Sequence, residues 1–185
     1  QNNLKDLLKR VFTETAEDLE VLVDILQKEG VVVQRPKVMQ DPLAKYDMGE
    51  FDIEYANQPL QPRDILGFYG SKIIEAYTKD RTRYFENWNT SHILKDYHNK
   101  GAEWISMPKP NLNQKTYQDY YNQGEILFHN ANLIKCGKDI FYSQSHQKDP
   151  VKGKGTEQGL EWYKRQLSEF NFNEIPVGGH ADGKV

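Results

Sequence analysis

Ile65-Leu66-Gly67-Phe68-Tyr69-Gly70-Ser71-Lys72-Ile73-Ile74-Glu75-Ala76 is the stretch on which the fold turns. Two short apolar segments, Ile65 to Tyr69 and Lys72 to Ala76, flank Gly70-Ser71, a pair suited to a tight turn, so a β-hairpin is predicted. Downstream, Ile93, Leu94 and Tyr97 carry a helix that ends near Gly101. Trp104-Ile105 then reads as a strand before Pro108-Lys109-Pro110 stops it. The order is β, β, α, β. Ile126 to Phe128 and Asp139 to Ser143 read as further strands, and Leu160, Tyr163 and Leu167 give the next helix a buried stripe. The ββαβ unit is therefore expected to recur in an α/β fold, with no residue-level self-similarity of the kind that marks short solenoid repeats.

Upstream, Leu4, Leu7, Leu8 and Val11 fall at i, i+3, i+4 and i+7, and Leu19, Leu22, Val23 and Leu26 repeat that spacing. Each set lines one helical face. Thr15 with Asp18 resembles a capping pair, which predicts a second helix over about residues 16 to 28, terminated by Gly30. Val31-Val32-Val33, stopped by Pro36, reads as a buried strand. From Lys37 to Gln61 the chain is polar, holds Pro42 and Pro59, and has little periodicity, so a long surface excursion is expected.

The 185 residues, 37% hydrophobic, suffice for one domain with a real core. With 24 Lys plus Arg against 27 Asp plus Glu, nothing in the charge balance calls for nucleic acid or an acidic membrane. No apolar run approaches the roughly 20 residues that cross a bilayer, and Gln1 onward lacks the order of a secretory signal. A cytoplasmic protein is expected. The single cysteine, Cys136, allows no internal disulfide, in keeping with a reducing compartment.

Three segments offer chemistry. Gly178-Gly179-His180-Ala181-Asp182-Gly183 puts an imidazole and a carboxylate two residues apart, so both face one way in extended backbone. The imidazole can shuttle protons beside an anion, or the motif is a polar turn. Pro62-Arg63-Asp64 places a carboxylate at the mouth of the hairpin, where its two oxygens suit a planar guanidinium; the alternative is a surface ion pair with Arg63. Phe128-His129-Asn130-Ala131-Asn132 offers a histidine and two amides for hydrogen bonding. The five histidines have no metal-ligand spacing, so no metal and no cofactor is expected. Flanking lysines could lower the Cys136 thiol pKa, although most lone cysteines are small buried hydrophobes.

Taken in order, these segments resemble the amidinotransferase family, within the arginine deiminase superfamily. The resemblance runs through Pro62-Arg63-Asp64-Ile65-Leu66, Ile73-Ile74-Glu75-Ala76, Arg81-Thr82-Arg83-Tyr84-Phe85-Glu86, Pro108-Lys109-Pro110, Gly137-Lys138-Asp139-Ile140-Phe141, Gly159-Leu160-Glu161-Trp162 and His180-Ala181-Asp182. It implies a pseudo-fivefold propeller of ββαβ modules around a central active site. Roughly three modules are expected in residues 1–185, read as one partial domain whose first-module strands and C-terminal modules lie elsewhere. It also implies a cysteine that attacks the guanidino carbon of arginine and an amidino group passed to an amine. His180 matches the proton-transferring histidine. Asp64 and Asp182 match carboxylates that hold the small-molecule guanidino or amine substrate.

Two departures accompany the resemblance. His129 stands at the position of the family's catalytic aspartate, where a possible cation replaces the anion that orients the imidazolium; a neutral His129 or Asn130 could accept a weaker hydrogen bond there. The family's nucleophile lies well beyond the His-x-Asp block, and Cys136 matches no nucleophile position. Three functions stay open: part of a guanidino-group transferase, a non-catalytic guanidino or amino-acid binder, or a structural module completed by a second chain. Exposed strand edges would favour self-association.

Overall fold

The computed structural model describes residues 2–38, 41, 44–55, 61–113, 124–143, 155–176 and 181–183. The chain divides into two compact units, residues 1–35 and 36–185, each described by itself.

The first unit is a single 27-residue helix, α1 (Asn2–Lys28), rather than two. No glycine or proline interrupts residues 12 to 17, so both apolar spacings extend along one helix. Thr15 sits mid-helix and caps nothing, and the interior is instead braced by Arg10 donating to Glu14 at 2.7 Å. Gly30 ends the helix as expected. It takes φ +79°, its N–H reaches the Gln27 carbonyl at 3.0 Å, and the Val31 N–H reaches Leu26 at 2.9 Å. These two bonds satisfy the Gln27 and Leu26 carbonyls, and a left-handed glycine makes them possible. Val31 to Val33 form no strand, and Val32 is 83% exposed. A strand needs a neighbour for its backbone groups, and none of the described strands pairs with this run.

The second unit begins with a two-residue pairing of β1 (Tyr46–Asp47) and β2 (Asp52–Ile53). One helical turn, α2 (Pro62–Ile65), leads into β3 (Leu66–Tyr69). The predicted hairpin follows: β3 pairs antiparallel with β4 (Lys72–Glu75), Leu66 opposite Glu75 and Tyr69 opposite Lys72. Gly70 at φ +65° closes the turn. Two 3-10 turns (Arg81–Arg83 and Glu86–Thr90) and helix α3 (Ser91–Asn99) carry the chain back to β5 (Glu103–Ser106). β5 lies parallel to β4, with Ile73 opposite Trp104.

The unit recurs. After a 3-10 turn at Asn130–Asn132, β6 (Leu133–Cys136) pairs antiparallel with β7 (Asp139–Tyr142) around Gly137 at φ +62°. Helix α4 (Glu157–Gln166) then precedes β8 (Asn171–Glu174), parallel to β7. Two ββαβ sheets, ordered β3-β4-β5 and β6-β7-β8, are thus present among the described residues. The partner of β7 is β6, and the expected Ile126–Phe128 strand reduces to a single bridge from Phe128 to Gly155. The tight turn at Gly137-Lys138 selects the nearer segment, since a two-residue loop fixes the partner.

Thr156 starts α4: its hydroxyl accepts from the Gly159 N–H at 3.1 Å and donates to the Glu125 carbonyl at 2.6 Å. Leu160 and Tyr163 on that helix and Leu167 just past its end join Ile74, Met107, Phe128 and Ile140 in one core shared by both modules. A smaller cluster of Ile65, Leu66, Ile73 and Leu94 seats α3 on the first sheet. Among the described residues no helix is long and apolar enough to cross a membrane.

Candidate functional site

Pro62 opens the α2 turn at a position where its missing N–H is no loss. The turn buries Asp64, 7% exposed, ahead of the hairpin rather than on its surface. There Asp64 Oδ2 accepts from Arg83 Nη1 at 2.7 Å. The same guanidinium donates through Nε and Nη2 to the two oxygens of Glu86, the second at 3.1 Å, and through Nη2 to the Gln61 carbonyl at 3.3 Å. Asp64, Arg83 and Glu86 thus form a buried trio of two carboxylates around one guanidinium. Across from it, His129 Nδ1 lies 3.9 Å from Asp64 Oδ1.

Burial pushes the Asp64 carboxyl up, but His129 and Arg83 outweigh it and hold the group well below the usual carboxylate range. For Arg83, burial opposes the charge while Glu86 and Asp64 favour it more strongly, so the guanidinium stays a cation. Asp64 is accordingly an anion at neutral pH. An ordinary surface ion pair with Arg63 is not its environment.

Arg63 points elsewhere. Its Nη2 donates to the Leu133 carbonyl at 2.7 Å, and its Nε lies 3.6 Å from Asp182 Oδ2. Asp182 belongs to the 3-10 turn Ala181–Gly183, and its side chain is one-third exposed. The turn holding Asp64, the segment holding His129 and the turn holding Asp182 are therefore joined through Asp64–His129 and Arg63–Asp182. Three of the four sequence-predicted site residues come together. The fourth, His180, lies outside the described residues. Cys136 is exposed at the end of β6.

Asn130 departs from its expected part. It is fully buried, and its Oδ1 accepts from the Tyr69 hydroxyl at 2.6 Å and the Tyr163 hydroxyl at 3.4 Å. Its Nδ2 donates to Leu66 O at 2.8 Å and Arg63 O at 3.3 Å. The amide links the first module to the second and serves the core, so it is not offered to a catalytic imidazole. Gly67 accommodates it, since a Cβ there would stand 2.2 Å from Asn130 Oδ1.

Sequence reasoning passed over Arg83 and Glu86 as individual residues. The signal was present in their i, i+3 spacing, which suits an ion pair on a helical turn. Among the described residues no group of three or more His, Cys, Asp or Glu is placed to hold a metal.

No family model matches the chain. It is 34% identical over 186 residues to the mitochondrial glycine amidinotransferase of Gallus gallus, an alignment covering 89% of this chain and 40% of that protein. Two solved structures are similar. One is the inosamine-phosphate amidinotransferase of Streptomyces griseus, with a TM-score of 0.78 and 29% identity, covering 94% of this chain and 50% of that one. The other is an amidinotransferase of the saxitoxin biosynthetic pathway from Microseira wollei, with a TM-score of 0.76 and 31% identity, covering 88% of this chain and 48% of that one. The chain spans about 40% to 50% of the length of these relatives.

Proposed function

Because the chain belongs to the amidinotransferase family, we propose that the protein carrying it moves an amidino group from arginine to an amine acceptor. The observation that supports this reading is the buried, ionised Asp64 gathered with His129 and with the turn that carries Asp182. Arg83 lies between the carboxylates of Asp64 and Glu86, and His129 faces the other oxygen of Asp64. Asp64 and Asp182 hold the substrate's guanidino and amino groups.

In the proposed reaction a cysteine thiolate attacks the guanidino carbon, forming a C–S bond. His180 gives a proton to the departing amine as the C–N bond breaks. The acceptor amine then attacks the amidino carbon and returns a proton to His180, and the C–S bond breaks to regenerate the thiolate. The exposed Cys136 at the end of β6 is not that thiol, which on this reading comes from outside residues 1–185. The two ββαβ modules are proposed to belong to a pseudo-fivefold propeller with the site in its central channel. Self-association through exposed strand edges is part of the same reading.

One observation favours a second reading, a binder without turnover: His129, which on the resemblance stands where the family has its catalytic aspartate, is an imidazole facing Asp64 and carries no carboxylate. Transfer from arginine to glycine, ornithine or lysine, measured in the protein carrying this chain and in its His180→Ala variant, separates the two. Transfer lost in the variant supports the reaction above. Equal activity in both removes His180 as proton carrier, and arginine binding without turnover establishes the binder.

A further inference from the structure

Glu86 anchors Arg83. It is 2% exposed, and the 3-10 turn it opens is tied down by Asn89 Nδ2 donating to Glu86 O at 3.3 Å and Asn87 Nδ2 donating to Ala76 O at 3.1 Å, just past the end of β4. A guanidinium gripped by both oxygens of such a carboxylate cannot rotate, because its donors form a rigid planar fork. Its remaining Nη1 donor meets Asp64 Oδ2 at 2.7 Å. That contact commits one Asp64 oxygen and sets the plane of the carboxylate, with Oδ1 turned toward His129.

We propose that Arg83 is a positioning residue of the site: held by Glu86, it fixes the Asp64 carboxylate so that a bound guanidinium meets Asp64 through one oxygen and not through a two-oxygen grip. This rests on the guanidino-substrate reading above and adds to it how the substrate is oriented. A single-oxygen contact leaves the ligand's planar group free to pivot about one hydrogen bond, so a second carboxylate must set its angle. Asp182, 3.6 Å from Arg63, is on the neighbouring turn for that part. The alternative role for Arg83 is charge balance alone, for which any cation serves.

Arg83→Lys distinguishes these roles, because it keeps the charge and loses the fork. It is made in the protein carrying this chain, alone and with Asp64→Asn. The readouts are the imidazole titration of His129 by NMR and the affinity for L-arginine by calorimetry, with circular dichroism confirming the fold. The expected result is a shift of the His129 midpoint by about half a pH unit or more as the carboxylate moves. Arginine binding should weaken about tenfold. Neither change should appear when Arg83→Lys is added to Asp64→Asn. A wild-type midpoint in Arg83→Lys, or the same shift in the Asp64→Asn background, overturns the proposal. If Arg83→Lys does not fold, Glu86→Gln, which removes the anchor with little change of shape, is read in the same way. A wild-type protein that ignores arginine refutes the substrate reading, while the His129 titration still decides the positioning role.

Discussion

Truncating Asn130 to alanine should be among the most damaging single changes in the second unit, through polar groups rather than lost apolar volume. The wild-type amide accepts from Tyr69 at 2.6 Å and donates to Leu66 O at 2.8 Å, with longer contacts to Tyr163 and Arg63 O. Burial pushes both phenols well above their usual range, so they remain protonated donors. In the variant the buried Tyr69 hydroxyl and the Leu66 carbonyl lose their partner. Each such loss costs about 1–3 kcal/mol, giving a total near 3–5 kcal/mol once the weakened Tyr163 contact is included. Tyr69→Phe should cost only about 1 kcal/mol, because Asn130 keeps Tyr163 as a donor. In the double variant no orphaned Tyr69 hydroxyl remains, so its cost should fall short of the sum of the singles by about 1–2 kcal/mol. Urea unfolding in the protein carrying this chain, followed by fluorescence of the buried Trp162 next to Tyr163, measures all three. An Asn130→Ala cost below about 1 kcal/mol, or strict additivity, would refute the assignment of this amide as the link between modules.

Gly159→Ala tests a conflict of signs. Helix propensity favours alanine by about 1 kcal/mol, but the new Cβ would stand 2.1 Å from the Leu127 carbonyl, a backbone atom that cannot yield. Thermal unfolding should show a net loss of about 3 kcal/mol, and a neutral or stabilised variant would show that α4 can shift away from residues 126–128. Acid titration tests Asp64. Its folded carboxyl is depressed by His129 and Arg83 from an ordinary value of 3.8. The unfolded chain therefore takes up the proton first on acidification. The stabilisation is complete above the unfolded value and is lost as pH falls from about 4 toward the folded one. The stability gap between wild type and Asp64→Asn should thus shrink as pH falls below about 4. A gap that widens on acidification would mean the carboxyl is protonated in the folded state.

Local chemistry made much of the second unit legible. The β3–β4 hairpin, α3, β5, β7 and α4 follow from apolar spacing and from Gly70, signals that act within a few residues. β8 was hidden because Asn171-Phe172-Asn173-Glu174 is polar for a strand, and it pairs only through backbone groups laid against β7. The α1 helix was read as two because Thr15 and Asp18 fit a cap, yet nothing in the intervening residues breaks a helix. Val31 to Val33 have β propensity, but propensity supplies no neighbour.

For the site, the sequence alone supplied the candidates Asp64, His129, His180 and Asp182 and the chemistry each could perform, because side-chain type and motif order are written in the chain. What it could not supply was who meets whom. That Arg83 claims one oxygen of Asp64, that Arg63 turns to Asp182, and that Asn130 is consumed by Tyr69 and Leu66 depend on contacts between segments up to about 120 residues apart. Such contacts arise when packing of the shared core brings two sheets together. Spacing along the chain carries no record of them, since a carboxylate's partner is whichever cation the folded core leaves beside it.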